Sequence, residues 1–200
     1  IAFPVGIDQP SGDAGDPDRA QDLGDLGGKI LRIAADGSIP SDNPFPGSPV
    51  WSYGHRNVQG LAFDSAGRLW ATEFGQNDVD ELNLVVRGGN HGWPIVEGAG
   101  GDDRYVDPAI TWPTDQASPS GLAIVDDVAY LGALRGERLW QVPLRQDGVG
   151  AAEAALGGRF GRIRTVEAAP DGSLWFTTSN RDGRGSPTAD DDRVVRLPIG

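Results

Sequence analysis

Short apolar stretches recur along this chain, separated by glycine, proline and aspartate. Gly54-His55-Arg56-Asn57-Val58-Gln59-Gly60 runs into the apolar Leu61-Ala62-Phe63, and a turn at Gly67-Arg68 leads to Leu69-Trp70-Ala71-Thr72. Two apolar runs joined by a glycine turn predict paired strands, with a polar cluster at the mouth of the first. The same pair recurs as Gly121-Leu122-Ala123-Ile124 with Val128-Ala129-Tyr130-Leu131, and as Thr165-Val166-Glu167-Ala168 with Leu174-Trp175-Phe176-Thr177. A further strand-like unit appears as Ile30-Leu31-Arg32-Ile33, Leu82-Asn83-Leu84-Val85, Leu139-Trp140-Gln141-Val142 and Val194-Val195-Arg196-Leu197, spaced roughly 55 residues apart.

The remaining text is punctuation. Ile1-Ala2-Phe3-Pro4-Val5 is strand-like despite its proline, and Gly12-Asp13-Ala14-Gly15-Asp16-Pro17 reads as an acidic loop. Pro40, Pro44, Pro46 and Pro49 predict an irregular excursion. The stretch from Glu73 to Leu84 reads as a loop dense in oxygen donors. No stretch has a convincing helical period. Ala151 to Leu156 is the best helical candidate, and it is short and followed by Gly157-Gly158.

Several short strands every ~50 residues are the signature of β-propeller blades. The expected fold is therefore all-β, with about four blades represented in a single partial propeller domain over residues 1–200. A sandwich is the alternative, but it needs no repeat. Propellers close with about 4–8 blades, and a six-bladed ring at this spacing needs roughly 330 residues. The expectation is that blades on the N-terminal side lie outside this sequence.

Charge narrows the partners. With 17 Lys+Arg against 29 Asp+Glu, the net charge is −12. That argues against nucleic acid and makes hard cations plausible ligands. There is no Cys, which excludes disulfides, thiolate metal sites and a cysteine nucleophile. There is also no Met, the mark of a processed chain or of a piece of a longer one. No apolar run approaches the ~20 residues of a membrane-spanning helix.

When the turns at Gly67 and Gly172 are aligned, Asn57 and Gln59 fall on the strand positions of Arg162 and Arg164. Alternate residues of a strand share a face. Arg56, Asn57, Gln59, Arg135, Arg162 and Arg164 would then give a propeller channel a basic pocket suited to a small polyanion. The competing reading pairs these arginines with surface carboxylates. The carboxylates, amides and carbonyls between Glu73 and Glu81 favour Ca²⁺ over Zn²⁺, with a solvated turn as the alternative. Asp190-Asp191-Asp192 reads as a solvated loop. Trp112-Pro113-Thr114 places an aromatic plane beside a hydroxyl, although Trp is more often core. Neither His55 nor His91 shows a Ser or Asp arrangement that would make a triad.

Longer motifs carry a resemblance: Gly54-x-Arg56-Asn57-x-Gln59-Gly60-Leu61-Ala62-Phe63, Glu73-x-Gly75-x-Asn77-x-x-Asp80-Glu81-Leu82-Asn83-Leu84, and Gly88-Gly89-Asn90-x-Gly92-Trp93-Pro94. Downstream stand Trp112-Pro113-x-x-x-x-Ser118-Pro119-Ser120-Gly121, Gly132-Ala133-Leu134-Arg135 and Gly161-Arg162-Ile163-Arg164. From about Gly12 to its end the chain resembles the pyrroloquinoline-quinone (PQQ)-dependent soluble glucose dehydrogenases and, more closely, the bacterial aldose sugar dehydrogenases. The resemblance implies a six-bladed propeller that oxidises aldoses to lactones outside the cytoplasm, in the periplasm or secreted, and passes electrons to an external acceptor. It implies that Gly75 and Gln76 offer carbonyls to a Ca²⁺ that also holds the quinone. Arg56, Asn57, Gln59, Thr114, Arg135, Arg162, Arg164 and Thr178 would hold the quinone, with Arg56 also catalytic, and Trp112 would line the substrate side. Glu81 and the backbone of His91 would form a second, structural Ca²⁺ site. Gln76 and His91 depart from the usual Pro and Tyr, and Arg135 stands where relatives carry Lys. The family's base histidine comes from an early blade that these residues do not match, so the expectation is that residues 1–200 alone do not turn over. A metal-dependent lactonase and a non-catalytic propeller module are the competing readings.

Overall fold

The computed structural model describes residues 2–5 and 17–199. Most of the predicted acidic loop, residues 12–16, lies outside them. Among the described residues there is no α-helix. A single 3₁₀ turn, Pro17–Ala20, accompanies fifteen strands. These form four antiparallel sheets.

The first sheet joins β1 (Ala2–Val5), β2 (Lys29–Arg32) and β3 (Val50–Tyr53). The second runs β4 (Val58–Phe63), β5 (Leu69–Glu73), β6 (Val79–Leu84) and β7 (Ile110–Pro113). The third holds β8 (Pro119–Val125), β9 (Val128–Ala133) and β10 (Arg138–Arg145), whose far side carries β11 (Gly148–Val149) and β12 (Glu153–Ala155). The fourth is β13 (Ile163–Ala168), β14 (Leu174–Thr178) and β15 (Val194–Leu197). Each repeat unit read from the sequence falls in its own sheet.

Two expectations are corrected. The helical candidate at 151–156 contains β12, which pairs with β10 through Leu139 and Ala155. The oxygen-rich stretch is only partly loop: Glu73 ends β5, and Val79–Leu84 is β6, opposite β5 with Glu73 facing Glu81.

Burial explains why the middle strands lack a polar alternation. Along β5, Leu69 and Ala71 pack with Ile30 and Val58 in a core between the first and second sheets. Trp70 turns the other way, into a core with Leu122, Leu131 and Trp140 of the third sheet. Along β9, Ala129, Leu131 and Ala133 face that same core, while Tyr130 packs against Ile163, Val166 and Phe176 of the fourth. A strand buried on both faces reads as one apolar run.

The first strands β4, β8 and β13 stand side by side. Each has a register shift near its start: Val58/Gly60, Pro119/Leu122 and Ile163/Val166. Phe74 N donates to Asn57 O, Leu134 N to Ser118 O, and Ser179 N to Arg162 O, so the sheet mouths are equivalent. This supports the sequence alignment of Asn57 with Arg162.

Candidate active site

Three mouths, at β4, β8 and β13, place the polar cluster. At the first, the chain turns from His55 into β4 around a buried carboxylate. Glu73 Oε1 accepts the N–H groups of Arg56 and, at 3.1 Å, Asn57. Glu73 Oε2 lies 3.0 Å from His55 Nδ1 and 3.4 Å from Asn83 Nδ2. His55 Nε2 is 2.8 Å from Ser52 Oγ. A Ser52–His55–Glu73 line therefore exists, contrary to the sequence reading, and all three side chains are buried. Burial, with a smaller push from Lys29, lowers the His55 pKa to about 3, so the ring is neutral. The network then assigns its proton to Nδ1, donated to Glu73, while Ser52 donates to Nε2. With no exposure, this is an orienting network and not a nucleophile.

Arg56 leaves this corner with its guanidinium over the Trp93 ring, 5.6 Å from the centroid, and Nη1 3.2 Å from Phe74 O. Its Nε is buried without a partner among the described residues, as are Asn83 Oδ1, Trp93 Nε1 and both ring nitrogens of His91. The His91 ring stacks on His55 at 4.4 Å. Arg56, Glu73, Gly75, Glu81, His91 and Glu97 line one small cavity. Burial raises the carboxyl pKa of both Glu73 and Glu81, and the charge of Glu73 adds to the effect at Glu81. Burial also raises Asp80 to about 6. Among the described residues, no three His, Asp or Glu side chains are arranged to hold a metal. The donors gathered here are carboxylate, amide and backbone oxygens, the set a hard cation takes.

Phe74 separates this cavity from a cleft of about 310 Å³ lined by Arg135 and Arg162, with Ser118, Leu134 and Arg184. Arg162 is buried and bonded through Nη2 to Asp182 Oδ2 at 3.0 Å, and Arg164 approaches the same oxygen at 4.0 Å. The cleft is cationic, and Asp182 pairs with Arg162 of its lining and approaches Arg164 of the next. A second cleft of about 340 Å³ takes in Gln59, Ser120, Arg164 and Glu167. Gln59 Nε2 donates to Asn57 Oδ1 at 2.7 Å, so the two share a face as their spacing predicts. Thr114 is half-buried, with its carbonyl 3.4 Å from Ser118 Oγ.

Two candidates sit elsewhere. Trp112 is 4% exposed and lies in the core beside Trp140, 5.6 Å between ring centroids, so it does not line the cleft. Its strand β7 is the far edge of the second sheet. Thr178 is buried, and its hydroxyl accepts Arg193 N–H at 2.8 Å. The aspartates at 190–192 are not simply solvated: Asp191 accepts from Thr188, Asn180 and Arg193. Sequence reasoning passed over Arg184, Asp182 and Glu97, and read Asp80 only as one of the oxygen donors of 73–81. Spacing offers no signal for the first two, which reach the cleft through a loop fold. Asp80 and Glu97 make their hydrogen bonds to backbone N–H groups, and their charges also act on Arg56.

Residues 9–187 match the Glucose / Sorbosone dehydrogenase family. Aldose sugar dehydrogenase YliI of Escherichia coli (strain K12) is 31% identical over 190 residues, 82% of this chain and 51% of that protein. Quinoprotein glucose dehydrogenase B of Acinetobacter calcoaceticus is 54% identical over 81 residues, 39% of this chain and 17% of that protein. The PQQ-bound form of aldose sugar dehydrogenase from Streptomyces coelicolor superposes with a TM-score of 0.88 at 52% identity, covering 93% of this chain and 56% of that one. The chain spans about half the length of two curated relatives it matches along most of its own, and 22% of a third.

Proposed function

The chain belongs to the glucose/sorbosone dehydrogenase family, and from that premise we propose that it forms part of a PQQ- and Ca²⁺-dependent enzyme that oxidises aldoses at the anomeric carbon to lactones. The observation that carries the proposal is the cationic cleft. An acidic protein with net charge −12 brings Arg135, Arg162 and Arg184 to one opening, one side chain away from Arg56 and the oxygen donors of 73–81. A quinone bearing several carboxylates fits the guanidinium wall, and a hard cation fits the oxygen donors. When bound, PQQ with its calcium supplies an electrophilic acceptor for a hydride equivalent from the sugar.

The residues divide that work. Arg162 and Arg164, balanced by Asp182, and Arg135 bind carboxylates. Arg56 would present a fixed positive charge to the negative charge that builds during reduction. Asn57 and Gln59, tied to each other, present amides from β4. The carbonyls of Gly75 and Gln76 are the cation's ligands in this reading, and Glu81 with the backbone of His91 serves a second cation. Thr114 acts at one remove, through Ser118, and Thr178 steadies the backbone at Arg193. An external electron acceptor and an extracytoplasmic location belong to the same proposal. The cationic lining disfavours a metal-dependent lactonase, which needs carboxylates converging in its channel.

The test is a titration of PQQ into the natural full-length protein, with and without Ca²⁺, followed by calorimetry. Calcium-dependent binding is expected, weakened roughly tenfold or more by Arg162→Ala, the loss of about 1.5–3 kcal/mol for a charge-assisted contact. Binding that ignores both calcium and Arg162 would refute the assignment.

A further inference from the structure

Glu97 lies outside every motif read from the sequence, yet its carboxylate is the hub of the loop after β5. One oxygen, Oε1, accepts the N–H groups of Gln76 at 2.8 Å, Asn77 at 3.0 Å, Asp78 at 2.9 Å and Val79 at 3.2 Å. Consecutive amides that converge on one atom force their peptide planes to turn together. The N–H of Gln76 shares its plane with the carbonyl of Gly75, and the N–H of Asn77 with that of Gln76. These peptides are trans. In a planar trans peptide the N–H and C=O point in opposite directions. Holding the two N–H groups on Glu97 therefore aims the carbonyls of Gly75 and Gln76 away from it.

The preceding plane is fixed in the same manner. Gly75 N–H donates to Asp80 Oδ1 at 3.1 Å, and the Phe74 carbonyl of that plane receives Arg56 Nη1 at 3.2 Å. Asp80 Oδ2 in turn accepts Ser118 N–H at 2.6 Å from the neighbouring sheet. Only glycine permits the path, because a Cβ at Gly75 would stand 1.7 Å from Val79 O.

We propose that Glu97 is the positioning residue of the cation loop: by gripping the amides of 76–79 it presents the Gly75 and Gln76 carbonyls as ligands. Its negative charge behind the same planes also polarises them, leaving the carbonyl oxygens more negative than an ungripped turn would. Glu97 touches neither the cation nor the quinone in this account. The inference rests on the calcium reading of the loop.

The experiment uses the natural full-length protein, free of quinone, as wild type, Glu97→Gln and Glu97→Asp. Gln keeps the volume but loses the charge and brings an NH₂ against the amides, whereas Asp keeps the charge and falls short. Calcium affinity is measured by calorimetry, and exchange of the amides of 76–79 by NMR or mass spectrometry. Both variants are expected to bind calcium roughly 10–100-fold more weakly, as for the loss of a supporting group around a metal, with faster exchange at those amides. Unchanged calcium affinity despite faster exchange would overturn the proposal and leave Glu97 a structural clamp. If Glu97→Gln does not fold, Glu97→Asp decides by the same criteria. A wild type that takes up no calcium refutes the metal reading instead. The positioning role falls with it, and lost protection in the variants would then mark Glu97 as a structural clamp alone.

Discussion

Burial raises the carboxyls of Asp80, Glu73 and Glu81, so each holds its proton to a higher pH in the folded chain than in the unfolded one. The stability they contribute is complete below their unfolded values and is lost as pH rises through their folded ones, Asp80 at about 6. His55 and His91 act in the opposite sense. Burial keeps them neutral, so their contribution is complete above the unfolded histidine value and falls as pH drops. The two sets oppose each other between about pH 4.5 and 6.5, which hides both in a simple melting curve. In the proposed reading calcium would separate them, because it takes Glu81 and so competes with the proton there and not at the imidazoles. The rise in melting temperature on adding calcium should be small at pH 5 and large at pH 7, where a concentration about 100 times the dissociation constant adds about 2.7 kcal/mol. Scanning calorimetry in calcium and in chelator at both pH values checks it, and an equal shift at both would sink it. Arg56, Asn57 and the arginines at 135, 162 and 164 are legible in the sequence because side chains carry their chemistry. Glu73 and Glu97 are not, because each acts by gathering backbone N–H groups from residues far along the chain.

Strands are legible where composition is forced. Residues 69–72 and 128–131 read as strands because both faces are buried. Val50–Tyr53 and Ile110–Pro113 are harder to read, the first emerging from proline-rich text and the second carrying Pro113 on an edge strand where no N–H is needed. The register shifts of β4, β8 and β13 are invisible in a linear text, although the glycines beside them hint at close approach. A Cβ on Gly121 would meet Val166 N at 2.5 Å and Thr165 Cα at 2.8 Å, backbone atoms of the adjacent sheet. Gly172 differs: its φ is +79° and its surroundings are open, so only the left-handed conformation resists a side chain there. Gly121→Ala should therefore cost about 3 kcal/mol, as overpacking between two rigid sheets. Gly172→Ala should cost about 1 kcal/mol, the conformational penalty alone. Urea unfolding of both variants gives the comparison, and equal midpoints would mean that β8 and β13 separate readily.

Across the whole molecule the repeat is the legible feature: units spaced by roughly 55 residues become separate sheets, each sharing a core with the next. The site is not legible at this scale, because it exists only where the mouths of adjacent sheets meet. Arg56 comes from the second sheet's entry, Arg135 follows β9, and Arg162 precedes β13. Their spacing is set by the cores between the sheets, and β8 and β9 are packed on both faces, so lost packing on one face need not move the site. Leu131 tests this, being fully buried between the second and third sheets. Leu131→Ala removes that packing and should cost about 2–5 kcal/mol. Strands β8 and β9 keep their other face packed against the fourth sheet, so the surviving folded molecules should hold Arg135 and Arg162 in place. PQQ affinity, measured well below the melting temperature, should then stay within about twofold of wild type, under 0.5 kcal/mol. A loss as large as that from Arg162→Ala would instead mean that the cleft widens when one core relaxes, and that the sheets act on the site as a single spring.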